Sequence, residues 1–312
     1  MRYTPSALLK AVKDPSLIHY EAERVLSKML FRRKYGSGAS VMDKDWDNLI
    51  LLDAMRTDYF REQNTIEGDY DEVVSLGSTS KEFIDANFVG ENLHDTIYVT
   101  ANPYAERLSG SEFFRVHYTE LFEKWDPDLK TIPPGAVADA TIEMHEKYPD
   151  KRIVSHFMQP HAPYIGPTGR ELYDGQSFGV FNPKLRERGS YDVPSENIPT
   201  AVEKGIISED TLRMVYEENV EIAIESAKEL VSDLDGRTVI SADHGEMLGD
   251  KILWNKRYGH GAHMYAPELR IVPWHVINTD DRRDVVSGEP EAFETLEESV
   301  RESRLGALGY VE

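Results

Sequence analysis

The sequence predicts an α/β fold: a central, largely parallel sheet sandwiched by helices. Three observations predict it. Short apolar runs alternate with helical patterns along most of the chain. Two of the runs, 48–52 and 237–242, read as strands buried on both faces. Each is followed by a carboxylate, Asp53 and Asp243. Strands alternating with helices build a sheet covered on both sides. Ligands in such sheets gather beyond the carboxyl ends of the strands, so the two Asp residues stand where chemistry is expected.

The elements run in this order. Residues 1–40 form a helical segment, interrupted near Asp14-Pro15 and ended by Gly36-Ser37-Gly38. It is expected to pack outside a main domain, 41–312. Strands are expected at 48–53, 72–76, 96–100, 152–157, 237–243 and 271–277, and helices at 80–88, 136–148 and 212–234. The stretch 166–205, rich in Gly, Pro, Asn and Ser, reads as a loop or lid over the site. The acidic tail 280–302 is expected to end in a short surface helix.

Bulk composition limits the function. The 312 residues carry a formal charge of −21 and are 40% hydrophobic, enough for a sizeable core. Such acidity argues against a nucleic-acid partner, which needs clustered Lys and Arg. It suits a solvated surface in high salt, with a halophilic source favoured, or a field that attracts cations. The absence of cysteine excludes disulfides, thiolate zinc sites and a cysteine nucleophile. No apolar run approaches the roughly 20 residues that span a bilayer, and the N-terminus lacks a signal-peptide layout. A cytoplasmic protein without stable membrane insertion is the expectation; the oligomeric state is open.

The strongest local motif is 241–246, Ser-Ala-Asp-His-Gly-Glu. A carboxylate and an imidazole converge on one ion only where the chain turns, and Gly245 permits that turn. The pair suits zinc, manganese or iron better than calcium. A strand-end Asp that merely caps the next turn weighs about equally, and Asp53 alone reads more readily as a helix cap. Ser78-Thr79-Ser80 precedes a helix, where hydroxyls serve as caps or face the positive end of the dipole. Histidines gather in 156–164, with His156 and His161, and in 258–263, with His260 and His263. They suit phosphoryl contacts, proton donation or a second metal.

Taken in chain order, these motifs resemble the alkaline phosphatase superfamily, in its sulfatase-like branch of haloarchaeal type. Leu51 to Arg56 resembles the first metal-ligand motif. Ser78-Thr79-Ser80 falls where the family places its nucleophile, and His156 to Tyr164 is similar to its His-x-Pro-Tyr segment. Ser241 to Asp250 resembles its Ser-Asp-His-Gly-Glu-x-Leu-Gly motif. Gly259-His260-Gly261, Pro267 to Pro273 and the terminal Leu305 to Tyr310 resemble the family's more C-terminal stretches. The order of several motifs is more specific than any one. Formylglycine is argued against, since there is no Cys/Ser-x-Pro-x-Arg motif. Gln159 stands where related chains often carry Asp, which weighs against a second metal.

The resemblance implies a metal-dependent hydrolase or transferase of phosphate or sulfate esters, small-molecule, glycan or lipid. It implies one divalent metal (Mn, Zn, Ca or Mg) on Asp53, Asp243, His244 and Thr79, with Thr79 as nucleophile. Ser78 is the second choice. His161 and His260 would steady the transferred group or protonate the leaving oxygen, with His263 the alternative to His260. Two other readings stand beside it: a non-catalytic metal-binding relative with a binding or regulatory role, and sulfatase activity without the formylglycine motif.

Overall fold

The computed structural model describes residues 15–173, 198–277, 282–293 and 295–300. Its centre is β1 (Asn48–Leu52), every residue of which is buried. A strand of five apolar and amide side chains with no exposed face must be covered on both sides. Around it runs a seven-stranded sheet in the order β2-β9-β6-β1-β5-β3-β4. The ranges are β2 Asp69–Val74, β3 Leu93–Thr100, β4 Phe113–His117, β5 Arg152–Phe157, β6 Thr238–Ser241 and β9 Ile271–Ile277. The pairs β6–β1, β1–β5, β5–β3 and β3–β4 are parallel, while β9 runs antiparallel to both β6 and β2. The predicted fold class is therefore met, with one strand reversed near an edge. The parallel register aligns Leu52 with Phe157 and Leu51 with Ser241, so these strands end together.

Helices clothe the sheet: α1 Pro15–Tyr35, α2 Thr57–Gln63, α3 Ser80–Asn87, α4 Thr119–Phe122, α5 Pro134–Lys147, α6 Pro167–Tyr173, α7 Ile198–Glu203, α8 Glu209–Ser232 and α9 Pro267–Arg270. Ser208 caps α8 by accepting from the Thr211 N–H at 3.1 Å. Leu212, Val215, Tyr216, Ala223, Ala227 and Leu230 recur at three- and four-residue spacing and are all buried. That stripe packs α8 on α5 and α2. Helix α1 stops at Gly36, whose left-handed backbone (φ 85°) brings its N–H to the Arg32 carbonyl.

Several expectations need correction. Strand β4 has no counterpart among the predicted strands, nor has the hairpin of β7 (Met247–Ile252) and β8 (Asn255–Gly259). The stretch 166–205 is helical at both ends, as α6 and α7, rather than loop; its middle, 174–197, lies outside the described residues. So do 1–14 and the terminal motif 305–310. The described part of the acidic tail straps the sheet edge: Gly288 donates to the His94 carbonyl and Glu291 to that of Phe114.

Candidate active site

Four neighbouring strands each deliver one side chain to the same sheet edge. Asp53 follows β1, Asp243 follows β6, His156 is the penultimate residue of β5 and Asn102 follows β3. All four are buried to 0% exposure. Asp53, His156 and Asp243 each present a ligand-type atom within 4.8 Å of the others. His244 joins them, its Nε2 lying 3.4 Å from Asp53 Oδ1 and 3.5 Å from Asp243 Oδ2.

Local chain geometry explains the convergence. After β1 the chain turns sharply at Ala54, in the left-handed region at φ 63°. That turn aims the Ala54 N–H at Asp243 Oδ1, 3.2 Å away. The same oxygen accepts from the His244 N–H at 2.8 Å, leaving Oδ2 to face the two imidazoles. Tyr216 of α8 holds the turn, its hydroxyl donating to the Ala54 carbonyl at 2.7 Å and accepting from the Arg56 N–H at 3.0 Å. Gly245 is required on contact grounds: a Cβ there would meet the Glu268 carbonyl oxygen at 2.0 Å. The His161 loop is clasped by Asn219, whose amide donates to the carbonyls of Pro160, His161 and Pro163.

The predicted hydroxyls are placed differently. Thr79 is the N-cap of α3, its hydroxyl accepting from the Glu82 N–H at 3.2 Å. Ser78 is tied to Glu82 and to the Gly261 carbonyl, both at 2.9 Å. Ser80, the next residue, reaches the acidic pair: its hydroxyl donates to Asp53 Oδ2 at 3.2 Å and lies 3.4 Å from His244 Nε2. Asn102 donates to the same Asp53 oxygen at 2.9 Å. Thr79, expected as ligand and nucleophile, thus spends its hydroxyl on the helix cap, and Ser80 is the hydroxyl that reaches Asp53 and His244.

The other histidines separate into two groups. His161 and His260 stand beside the site, with ring centroids 4.9 Å apart, and His260 lies 4.5 Å from His244. The His161 N–H donates to the Asp53 carbonyl at 3.0 Å. His260 Nδ1 faces both oxygens of the buried Glu246, at 3.1 and 3.3 Å. His263 instead pairs with Glu82 on the surface. Sequence reasoning marks His156 only as one of a cluster, and gives Asn102 and Glu246 no role.

The electrostatics favour ionised oxygen and neutral nitrogen. Burial would raise Asp243, but His244, His156 and the Ser80 hydroxyl hold its pKa well below the usual carboxylate range. Burial drives His244 down and His161 to about 3, the neighbouring His260 adding to the latter. Burial also opposes charge on His260, but Glu246 outweighs it and raises that pKa. Deprotonated carboxylates and neutral imidazoles are the forms that bind divalent metal. His156 Nε2 and Asp243 Oδ2 are buried without a hydrogen-bond partner among the described residues. Two such orphaned atoms facing each other at 3.5 Å are costly unless a cation satisfies both. His156 Nδ1 meets the Tyr98 hydroxyl at 2.7 Å, which fixes the ring with Nε2 turned to the site. The residues present therefore fit a metal.

No family model and no curated protein matches the chain. Solved structures do show likeness. The integral membrane lipooligosaccharide phosphoethanolamine transferase A of Neisseria meningitidis overlaps 73% of this chain at 13% identity and a TM-score of 0.46. This chain spans only 47% of that protein's length. The C-terminal periplasmic domain of phosphoethanolamine transferase EptC from Campylobacter jejuni overlaps 75% of this chain and 78% of its own, at 13% and 0.43. The corresponding EptC domain of Escherichia coli, in complex with zinc, overlaps 76% and 75%, at 12% and 0.42. Likenesses of this size assign no activity, so any chemistry must rest on the chain's own side chains.

Proposed function

We propose that the chain is a metal-dependent phosphotransferase or phosphohydrolase in which the Ser80 hydroxyl is the nucleophile. The observation that carries this is the position of Ser80: a buried hydroxyl at a helix start, donating to Asp53 beside Asp243, His244 and His156. Asp53, Asp243, His244 and His156 would hold one divalent cation. Bound there, the cation would lower the pKa of the Ser80 hydroxyl and neutralise an ester oxygen.

The protein's own groups then have distinct tasks. Ser80 Oγ forms a bond to phosphorus as the bond to the leaving oxygen breaks. Ser80 would react as the alkoxide, its proton released to water beforehand, while Asn102, donating to Asp53 Oδ2, keeps that carboxylate charged and in place. His260, oriented by Glu246, gives a proton to the leaving oxygen. His161 lies on the opposite loop and is neutral; its Nδ1 donates to the Ala162 carbonyl, so its Nε2 would accept a hydrogen bond from the attacking water or alcohol. Water or an acceptor alcohol displaces Ser80 in the second half, returning a proton to His260. A hydroxyl nucleophile without the formylglycine motif favours phosphate over sulfate esters.

The test is trapping. The protein would be incubated with manganese or zinc and an aryl phosphate or aryl phosphodiester, quenched in acid and mapped by peptide mass. A phosphoryl adduct on Ser80 is expected. An adduct on Ser78 or Thr79 would overturn the nucleophile, and turnover without any adduct would overturn the covalent route. Metal binding with no phosphoester turnover in the intact protein would favour the non-catalytic metal-binding reading instead.

A further inference from the structure

Helix α1 turns two polar residues and one aromatic inward. Glu23, Ser27 and Phe31 are 2%, 5% and 5% exposed. Glu23 accepts from the Asn255 side-chain amide at 3.1 Å and pairs with Arg257 at 2.5 Å, locking the helix to the β7–β8 hairpin. On the outside, Ile18, Ala22, Val25 and Met29 recur at i, i+4, i+7 and i+11, one stripe of an α-helix. Ile18, Val25 and Met29 are 51–61% exposed. A helix that served only the core would bury this stripe, so its exposure calls for a partner.

Two further features say which partner. Leu30 and, at the hairpin turn, Leu253 and Trp254 extend the apolar surface beyond the helix. A groove of about 220 Å³, flanked by Lys34 and Lys251, joins the two elements. Helix α1 carries five basic residues against two acidic ones, in a chain of net charge −21. Lys28, Arg32, Arg33 and Lys34 enter no ion pair among the described residues, and Arg32, Arg33 and Lys34 close the helix.

We propose that this face docks on an anionic lipid surface. Ile18, Val25 and Met29 would sit at the acyl boundary, Trp254 at headgroup level, and the basic last turn on the anionic headgroups. The acidic remainder of the chain is repelled by such a surface, so only this face can approach, and orientation is set by charge. A second copy fits less well. A parallel helix pair sets the four cations against themselves, and a helix pair does not cover Leu253 and Trp254. The reading is independent of the phosphoester chemistry, although β8 leads directly from the docked hairpin to His260.

Flotation of the full chain with vesicles tests it, comparing phosphatidylcholine alone with phosphatidylcholine containing phosphatidylglycerol. Binding is expected only with the anionic lipid, decreasing as salt is added. V25E/M29E should weaken it about tenfold or more, R32E/R33E comparably, and M29L not at all. All these positions are exposed, and matching circular dichroism would verify folding. If V25E/M29E misfolds, the R32E/R33E pair gives the same readout. No flotation of the parent protein, or equal flotation on neutral vesicles, overturns the proposal. So does a dimer that V25E/M29E dissolves while neither form floats.

Discussion

Replacing Asp243 by Asn separates a metal site from a buried polar cluster. The substitution preserves shape, and the side-chain oxygen can still accept from the Ala54 and His244 N–H groups. It removes the charge that faces His156 and His244. For the parent protein with manganese or zinc at a hundredfold excess over its dissociation constant, ligand linkage adds about 2.7 kcal/mol of stability. In a chain of this size each kcal/mol moves the melting temperature by roughly 2 °C, so a rise of about 5 °C is expected. If the substitution weakens binding about a hundredfold, the gain at the same metal concentration falls to RT ln 2, about 0.4 kcal/mol, or under ~1 °C. Without metal, the low Asp243 pKa means that its charge already stabilises the fold, so D243N should melt somewhat below the parent in chelator too, and the metal-induced rise is the discriminating readout. Differential scanning calorimetry with metal and with chelator reads both effects. D243N that keeps the full metal-induced rise would refute the site, and D243N destabilised equally with metal and with chelator would make Asp243 a structural cap.

Neighbouring groups give further expected outcomes. Ser80→Ala should lower phosphoester turnover about a thousandfold or more, whereas Thr79→Ala should keep turnover and cost about 1 kcal/mol as a lost cap; a kinetic and melting comparison checks the pair. Glu246 raises the His260 pKa, and a proton donor loses activity as pH rises through its pKa. Glu246→Gln should therefore move the alkaline limb of kcat to lower pH, and an unmoved limb removes His260 from that role. Burial would raise Glu82, but the Ser78 N–H and hydroxyl and Arg270 hold its pKa low. Its contribution is thus present above the unfolded value and lost as pH falls through the folded one. Glu82→Gln should flatten the acid side of the stability profile, read by melting from pH 3 to 7.

The sheet is legible in sequence where burial is complete on both faces. Strands β1 and β6 show as apolar runs, and the same rule locates Asp53 and Asp243. Applied to β3, it would also find Asn102, two residues past Thr100. Strand β4, Phe-Phe-Arg-Val-His, is short and mixed, an edge strand without alternation. The β7–β8 hairpin turns at Leu253-Trp254, with Leu253 at φ 53° and no Asn-Gly signal. Ser80 escapes sequence reasoning because three hydroxyls precede the helix and nothing local says which one caps it. His156 lies in a strand buried on both sides, so no alternation marks the face that meets Asp53 and Asp243.

The pairing of Ala54 with Asp243 joins residues 189 positions apart in the chain. On a ribosome adding about 5–20 residues per second, the second carboxylate emerges roughly ten to forty seconds after the first. Through that interval Asp53 and His156 exist as part of the buried cluster without its closing partner. Closure of the cluster is therefore a late event in the protein's life, and any cation it takes up must wait for residue 243.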